Sequence, residues 1–267
     1  MYNTEKANVT ITNCDFTDNH VSERGGGLYN RNSSPIVANS TFSDNSASSG
    51  GGAVFNIKSG LGTHIPQITN CVFYDNNSYW GGAIRNFQSS PKITNCTFWG
   101  NIAKDEGGAI HDYLNSGICE PEITNCILWG NTPDQIHDSW DCTAIVRNSD
   151  IQGGWNGIGN INQNPQFVDS GNRDFHLMPT SPCIDLGSNA VIETTGVTND
   201  FEGDPRIING IVDMGYDEYF VWSCLHYDSN QSGKIEYGEM VDAFVDYLTS
   251  NLKYSHTVDV LMCYLTG

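Results

Sequence analysis

The chain has 267 residues, enough for one elongated domain and a small appendage. Its net charge is −19, with only 12 Lys and Arg and no basic run. That balance argues against nucleic acid and an anionic membrane surface as partners and makes divalent cations the natural counter-ions. No apolar run approaches the roughly 20 residues of a membrane span, and the 28 glycines suit tight turns and strands rather than a helical bundle.

Internal repetition dominates the first half. One motif recurs as Val9-Thr-Ile-Thr-Asn-Cys-Asp-Phe16, Pro66-Gln-Ile-Thr-Asn-Cys-Val-Phe73, Pro91-Lys-Ile-Thr-Asn-Cys-Thr-Phe98 and Pro121-Glu-Ile-Thr-Asn-Cys-Ile-Leu128. Weaker copies run from Pro35 to Phe42 and from Ala144 to Ile151. The motif asparagines Asn13, Asn39, Asn70, Asn95, Asn125 and Asn148 are 26, 31, 25, 30 and 23 residues apart. Between copies lies a second motif, beginning at Gly25, Gly51, Gly81 and Gly107, and a third mark follows at Asn19, Asn45, Asn76, Asn101 and Asn131. Short runs alternate apolar and polar residues with period two, which is strand patterning. One repeat cannot bury its apolar face, but parallel copies stacked about 4.8 Å apart can. The pattern predicts an all-β, right-handed parallel β-helix of about six coils over residues 1–155. Ile68, Ile93 and Ile123 stack inside it, as do Phe42, Phe73 and Phe98, and Asn supplies left-handed bends. Leucine-rich and propeller repeats fail on motif and period. The motifs resemble the right-handed β-helix repeats of the pectin-lyase-like family.

Cys14, Cys71, Cys96 and Cys126 share one inward slot, filled elsewhere by Ser40 and Ser149. Adjacent coils hold their Cβ atoms farther apart than a disulfide prefers, so a reduced stack of small buried side chains is expected. Cys119 with Cys142, and Cys224 with Cys263, are candidate disulfides in an oxidising compartment. Nine cysteines leave at least one thiol unpaired within the chain, and the pairing of Cys183 is open.

Two outward columns carry chemistry. Tyr74, Trp99 and Trp129 follow the motif Phe or Leu in consecutive coils. They form either a glycan platform or a surface packed under the returning segment, and the two readings weigh equally. The second column holds Arg85, His111 and His137, beside Asp112 and Asp138. These residues suit uronate binding or acid–base work. The blander reading, in which the aspartates continue the asparagine ladder and the histidines are solvated, is favoured. The signatures of pectate lyases and polygalacturonases are not evident.

The repeat fades over residues 156–220. Asn164-Pro-Gln-Phe-Val-Asp169, Ser181-Pro-Cys-Ile-Asp-Leu-Gly187, Asp200-Phe-Glu-Gly-Asp-Pro-Arg206 and Val212-Asp-Met-Gly-Tyr-Asp-Glu-Tyr219 resemble the tail of secreted microbial choice-of-anchor proteins. That resemblance implies a segment closing the β-helix ahead of an anchoring or docking signal. Physically, it would cover the open edge of the last coil. Met1 stands almost inside the first repeat, which fits a removed leader or further sequence ahead of it.

Residues 221–267 read as a small α-helical calcium module. Asp228-Ser-Asn-Gln-Ser-Gly-Lys-Ile-Glu-Tyr-Gly-Glu239 fits a twelve-residue EF-hand loop. Asp228, Asn230, Ser232, the Lys234 carbonyl, Glu236 and Glu239 would be the Ca2+ ligands, and Gly233 the sharp turn. Two short helices should follow, around Val241–Leu252 and Val258–Leu265. The unit resembles a dockerin with one intact loop, which implies a cohesin-like or surface-protein partner. The combined expectation is an extracellular or cell-surface protein that binds polysaccharide or cell-surface glycan. The alternatives are a lyase or hydrolase of acidic polysaccharide, and a structural subunit assembling through its open ends.

Overall fold

A computed structural model of the protein describes residues 1–4, 7–59, 64–115 and 118–219. Met1–Tyr219 form one compact unit and 220–267 a second. The expected EF-hand loop, its ligands Asp228 to Glu239, the following helices, Cys224 and Cys263 all lie outside the described residues.

The first unit is a parallel solenoid. Each coil contributes one strand to each of three sheets, and six strands per sheet enclose five full turns. Sheet 1 holds Tyr2–Thr4, Leu28–Arg31, Val54–Ile57, Ile84–Phe87, Ile110–Tyr113 and Ile136–Ser139. Sheet 2 runs from Thr10–Thr12 to Ile145–Arg147, and sheet 3 from Asp15–Thr17 to Asp150–Ile151. A fourth, shorter sheet has four strands, from His20–Val21 to Ile102–Glu106. Every pairing within these sheets is parallel, and the three six-stranded sheets keep the register of the repeat, for example Ile68 with Ile93 and Phe73 with Phe98; the fourth sheet has one register shift, between Ser78 and Trp80.

The recurring residues explain the coil. All six motif asparagines adopt positive φ, from 47° to 54°, at the bend between sheets 2 and 3. Asn reaches that region more readily than most side chains because it is short and bonds locally. Inside, Phe16, Phe42, Phe73 and Phe98 stack face to face with ring centroids 4.7–4.8 Å apart. Ile68, Ile93 and Ile123 are at most 1% exposed beside them. Two polar ladders run through the same interior. Asn19, Asn45, Asn76 and Asn101 each pass a side-chain hydrogen bond to the next coil at 2.8–2.9 Å, ending on Asn131. Asn3, Asn30, Asn56 and Asn86 do the same, ending on Asp112. A buried amide is tolerated only when bonded, so the ladders fix which coil sits on which.

The cysteine slot matches its reading. Cys71, Cys96 and Cys126 are buried and free, while Cys14 is half-buried at the first coil. Cys71 and Cys96 each donate their backbone N–H to the sulfur of the next coil at 3.4 Å. Cys119 and Cys142 form a disulfide with Cα atoms 4.8 Å apart, and Cys183 is buried and free.

The closing segment does two jobs. Its first stretch covers the edge of the last coil: Ile151 donates its N–H to the Ile161 carbonyl, and Ile161 donates to that of Ser149. The remainder departs from a simple end cap and lies along the outer face of sheet 3. There Phe167, Phe175, Leu177, Met214 and Tyr216 join Val72 and Ile127 in a second apolar core. Val72 and Ile127 are apolar on an outward face, so burying them requires a cover. The motif asparagines hold it down, with Asn70 donating to the Asn199 carbonyl and Asn125 exchanging two bonds with Ser188.

Candidate functional site

The outward aromatic column of sheet 3 is part of that second core. Tyr74, Trp99 and Trp129 pack against it. The Trp99 ring meets Phe167 edge-on at 5.5 Å, and Tyr74 meets Phe175 at 5.5 Å. Of the two readings of these rings, packing under the returning segment matches the geometry; the closing segment takes the face that a sugar platform would need.

The outer face of sheet 1 is different. Tyr2, Tyr29, Phe55, Arg85, His111 and His137 stand in one column, in register coil by coil. Period two turns Ile84 into the core, Arg85 outward, Asn86 inward and Phe87 outward. Beside Arg85, His111 and His137 a cavity of about 590 Å3 opens on this face. Trp80, Phe87, Tyr113 and Trp140 give it aromatic walls, and Glu106, Asp138 and Ser139 complete the lining.

Arg85 lies at the floor, 7% exposed. Its guanidinium sits 4.5 Å from the Trp80 ring and 5.9 Å from Phe55, and one nitrogen donates to the Ser49 carbonyl at 3.2 Å. Its Nε has no partner, and no carboxylate lies within ion-pair distance of it among the described residues. Burial, then the neighbouring Arg24, lowers its pKa to about 10, which leaves it cationic at neutral pH. Gly50 makes room for the side chain: a Cβ there would meet Arg85 Cδ at 2.4 Å. A buried cation with an unbonded donor is costly unless a ligand supplies the partner.

His111 is not solvated, which corrects that part of the blander reading of the sequence, while His137 is half-buried. His111 is 1% exposed, enclosed by the aromatic walls, and burial followed by the charge of Arg85 lowers its pKa to about 3. It is therefore neutral imidazole in ordinary conditions. Glu106 spans both rings, 3.4 Å from His111 Nε2 and 3.5 Å from His137 Nε2. Asp134 fixes the other side of His137 at 3.1 Å, while accepting the Gly107 N–H at 2.7 Å. Asp112 does continue the inner ladder, and Asp138 follows it in register without a ladder bond. Asp112 is fully buried and accepts from Asn86 at 2.7 Å. Its other oxygen and Asp138 Oδ1 have no donor. Burial and the neighbouring Asp138 hold the Asp112 carboxyl well above the usual range.

Sequence reading missed Trp80, Glu106, Phe87, Tyr113 and Trp140. Trp80 and Glu106 pair across neighbouring coils, just past a register shift, and stand immediately before a Gly-Gly motif. That position was the available signal, because it flanks the histidine column. Phe87 and Tyr113 lie two residues beyond Arg85 and His111, on the same outward face.

The protein is a parallel β-helix repeat protein. A comparison with family models finds residues 1–118 similar to the family described as a right handed beta helix region, which supports the right-handed winding. No curated protein sequence matches the chain. Among the described residues no helix is long and apolar enough to cross a membrane.

Proposed function

We propose that the sheet 1 cavity binds an anionic sugar, a uronate unit of an acidic polysaccharide, in an extracellular or cell-surface protein. The observation that carries this reading is the buried, carboxylate-free Arg85 guanidinium on the floor of an aromatic-walled cavity. An Arg fork matches a carboxylate geometrically, and flat aromatic rings suit the apolar C–H faces of a sugar. The Cys119–Cys142 disulfide supports an oxidising compartment. Calcium at Asp228, Asn230, Ser232, Lys234, Glu236 and Glu239, and docking of that module on a cohesin-like or surface protein, belong to the same proposal and rest on the loop sequence. The test is calorimetric titration with oligogalacturonides and neutral cello-oligosaccharides. Acidic oligomers should bind wild-type protein, and Arg85→Gln should weaken them at least tenfold. Equal binding of neutral oligomers, or unchanged binding by the variant, rejects the reading.

A second reading, cleavage of the bound polymer, is favoured by one feature: Glu106 bridges two histidines, and Asp134 orients one of them. Such a chain of groups can relay a proton when the donor–acceptor distances tighten on a substrate. Appearance of unsaturated uronate ends or new reducing ends, lost in His137→Ala, is its test.

A further inference from the structure

A second cluster of ligating side chains, separate from the lining of the sheet 1 cavity, lies inside the closing segment. His176 belongs to the strand Asp174–Leu177, Glu202 to the turn after Asp200, and Asp217 to the stretch before Tyr219. The His176 Nδ1 is engaged by Asp174. That leaves Nε2 facing Glu202 Oε1 at 3.3 Å and Asp217 Oδ2 at 3.8 Å. The ligand atoms of the three residues all lie within 4.8 Å of one another.

The surroundings of the buried member are a second observation. Asp217 is 5% exposed. Its carboxyl meets a second carboxyl, that of Asp200, in a side-chain hydrogen bond and lies 3.8 Å from His176 Nε2. Asp200 is already satisfied: one oxygen accepts the N–H groups of Glu202, Gly203 and Asp204, and the other that of Glu218. Asp217 thus sits in a pocket of negative charge whose ion-pairing side chain, among the described residues, is His176. Buried carboxyls side by side need a proton or a positive ion beside them.

We infer that His176, Glu202 and Asp217 form a binding site for a divalent transition ion of the Zn2+ class. A tetrahedral ion with ligands at about 2.1 Å spaces them about 3.4 Å apart, close to the 3.3 and 3.8 Å found here. One imidazole and two carboxylates suit Zn2+, whereas Ca2+ takes oxygen ligands alone. Asp174 on Nδ1 is the partner that orients metal-binding histidines and raises their basicity. The ion would tie three stretches of the closing segment together, and three protein ligands leave one coordination position open.

The test is zinc titration of the full chain after chelator treatment and dialysis, with millimolar calcium present to occupy all-oxygen sites. Wild-type protein should bind one equivalent at micromolar or tighter affinity and melt at a higher temperature with zinc. Glu202→Gln and His176→Ala should weaken this at least a hundredfold and abolish the shift in melting. His137→Ala, which disrupts the histidine pair of the sheet 1 cavity, should bind as wild type does. Should His176→Ala fail to fold, Glu202→Gln decides alone, since its side chain is 27% exposed and its replacement removes charge but little volume. The inference is overturned if wild-type protein takes up no zinc, if both variants bind unchanged, or if His137→Ala is the variant that loses the ion.

Discussion

Sheets 1 and 3 both present aromatic side chains outward in stacked columns, and they meet opposite fates. On sheet 3, Tyr74, Trp99 and Trp129 are packed under the closing segment. On sheet 1, Phe87 and Tyr113 stack at 5.1 Å, Trp140 lies edge-on to Tyr113, and these rings wall a cavity. The difference lies in the accompanying outward column. Beside the sheet 3 rings stand Val72, Thr97 and Ile127, all at most 4% exposed, which gain from being covered. Beside the sheet 1 rings stand Arg85, His111 and His137, whose charge and hydrogen-bonding groups need water or a polar ligand. An outward aromatic column alone does not mark a binding surface; its partner column decides between burial and recognition.

The largest effect should come from removing a ring on the covered side. Trp99→Ala deletes contacts to Phe167 and Phe175 and should destabilise the protein by about 3 kcal/mol in urea unfolding. Oligouronate affinity should stay unchanged. If affinity fell in parallel with stability, the two faces would not be independent. A comparable change, of opposite sign, is expected where the closing segment meets the last coil. Asp150 accepts from the Gln163 N–H and from the Cys183 thiol, and burial raises its pKa to about 6. A carboxyl raised in the folded state gives stability that is present below its unfolded pKa, near 3.8, and lost as the pH rises through 6. Two pKa units correspond to about 3 kcal/mol. Asp150→Asn should therefore be more stable than wild type at pH 8 by up to that amount and equal to it near pH 4. Unfolding curves at the two pH values check this. On the open side, Arg85→Gln should cost about 2 kcal/mol of oligouronate binding, about thirtyfold, with a smaller change in melting than Trp99→Ala.

Much of this contrast was readable before the structure. The six asparagines foretold the left-handed bends, and the period of two placed Ile68 inside and Arg85, His111 and His137 in one outward column. Spacing alone did not reveal how deep His111 sits. Its burial comes from Trp80 and Glu106, which belong to the neighbouring sheet, and from Trp140, in a turn of positive φ between Ser139 and Cys142. The course of the closing segment was illegible for a related reason. It has no period, so nothing in its own residues says which outer face it covers; the apolar Val72 and Ile127 beneath it held that information.

The smallest effect tests whether the open face reaches into the coil interior. The ladder Asn3, Asn30, Asn56, Asn86 passes one amide bond per coil and then meets Asp112, whose second oxygen faces Asp138 without a donor. Burial and the neighbouring Asp138 favour the neutral form of Asp112. Asp112→Asn supplies the missing donor and lengthens the ladder by one rung. Above neutral pH, where the Asp112 proton is hardest to keep, the variant should be more stable by about 1 kcal/mol, the worth of one restored hydrogen bond. The gain should vanish toward pH 4, because a raised carboxyl contributes its stability on the acid side. Unchanged oligouronate affinity in this variant would confine Asp112 to the scaffold. A loss of affinity would mean that Asp138, which lines the cavity and pairs in register with Asp112, links the interior ladder to the bound sugar.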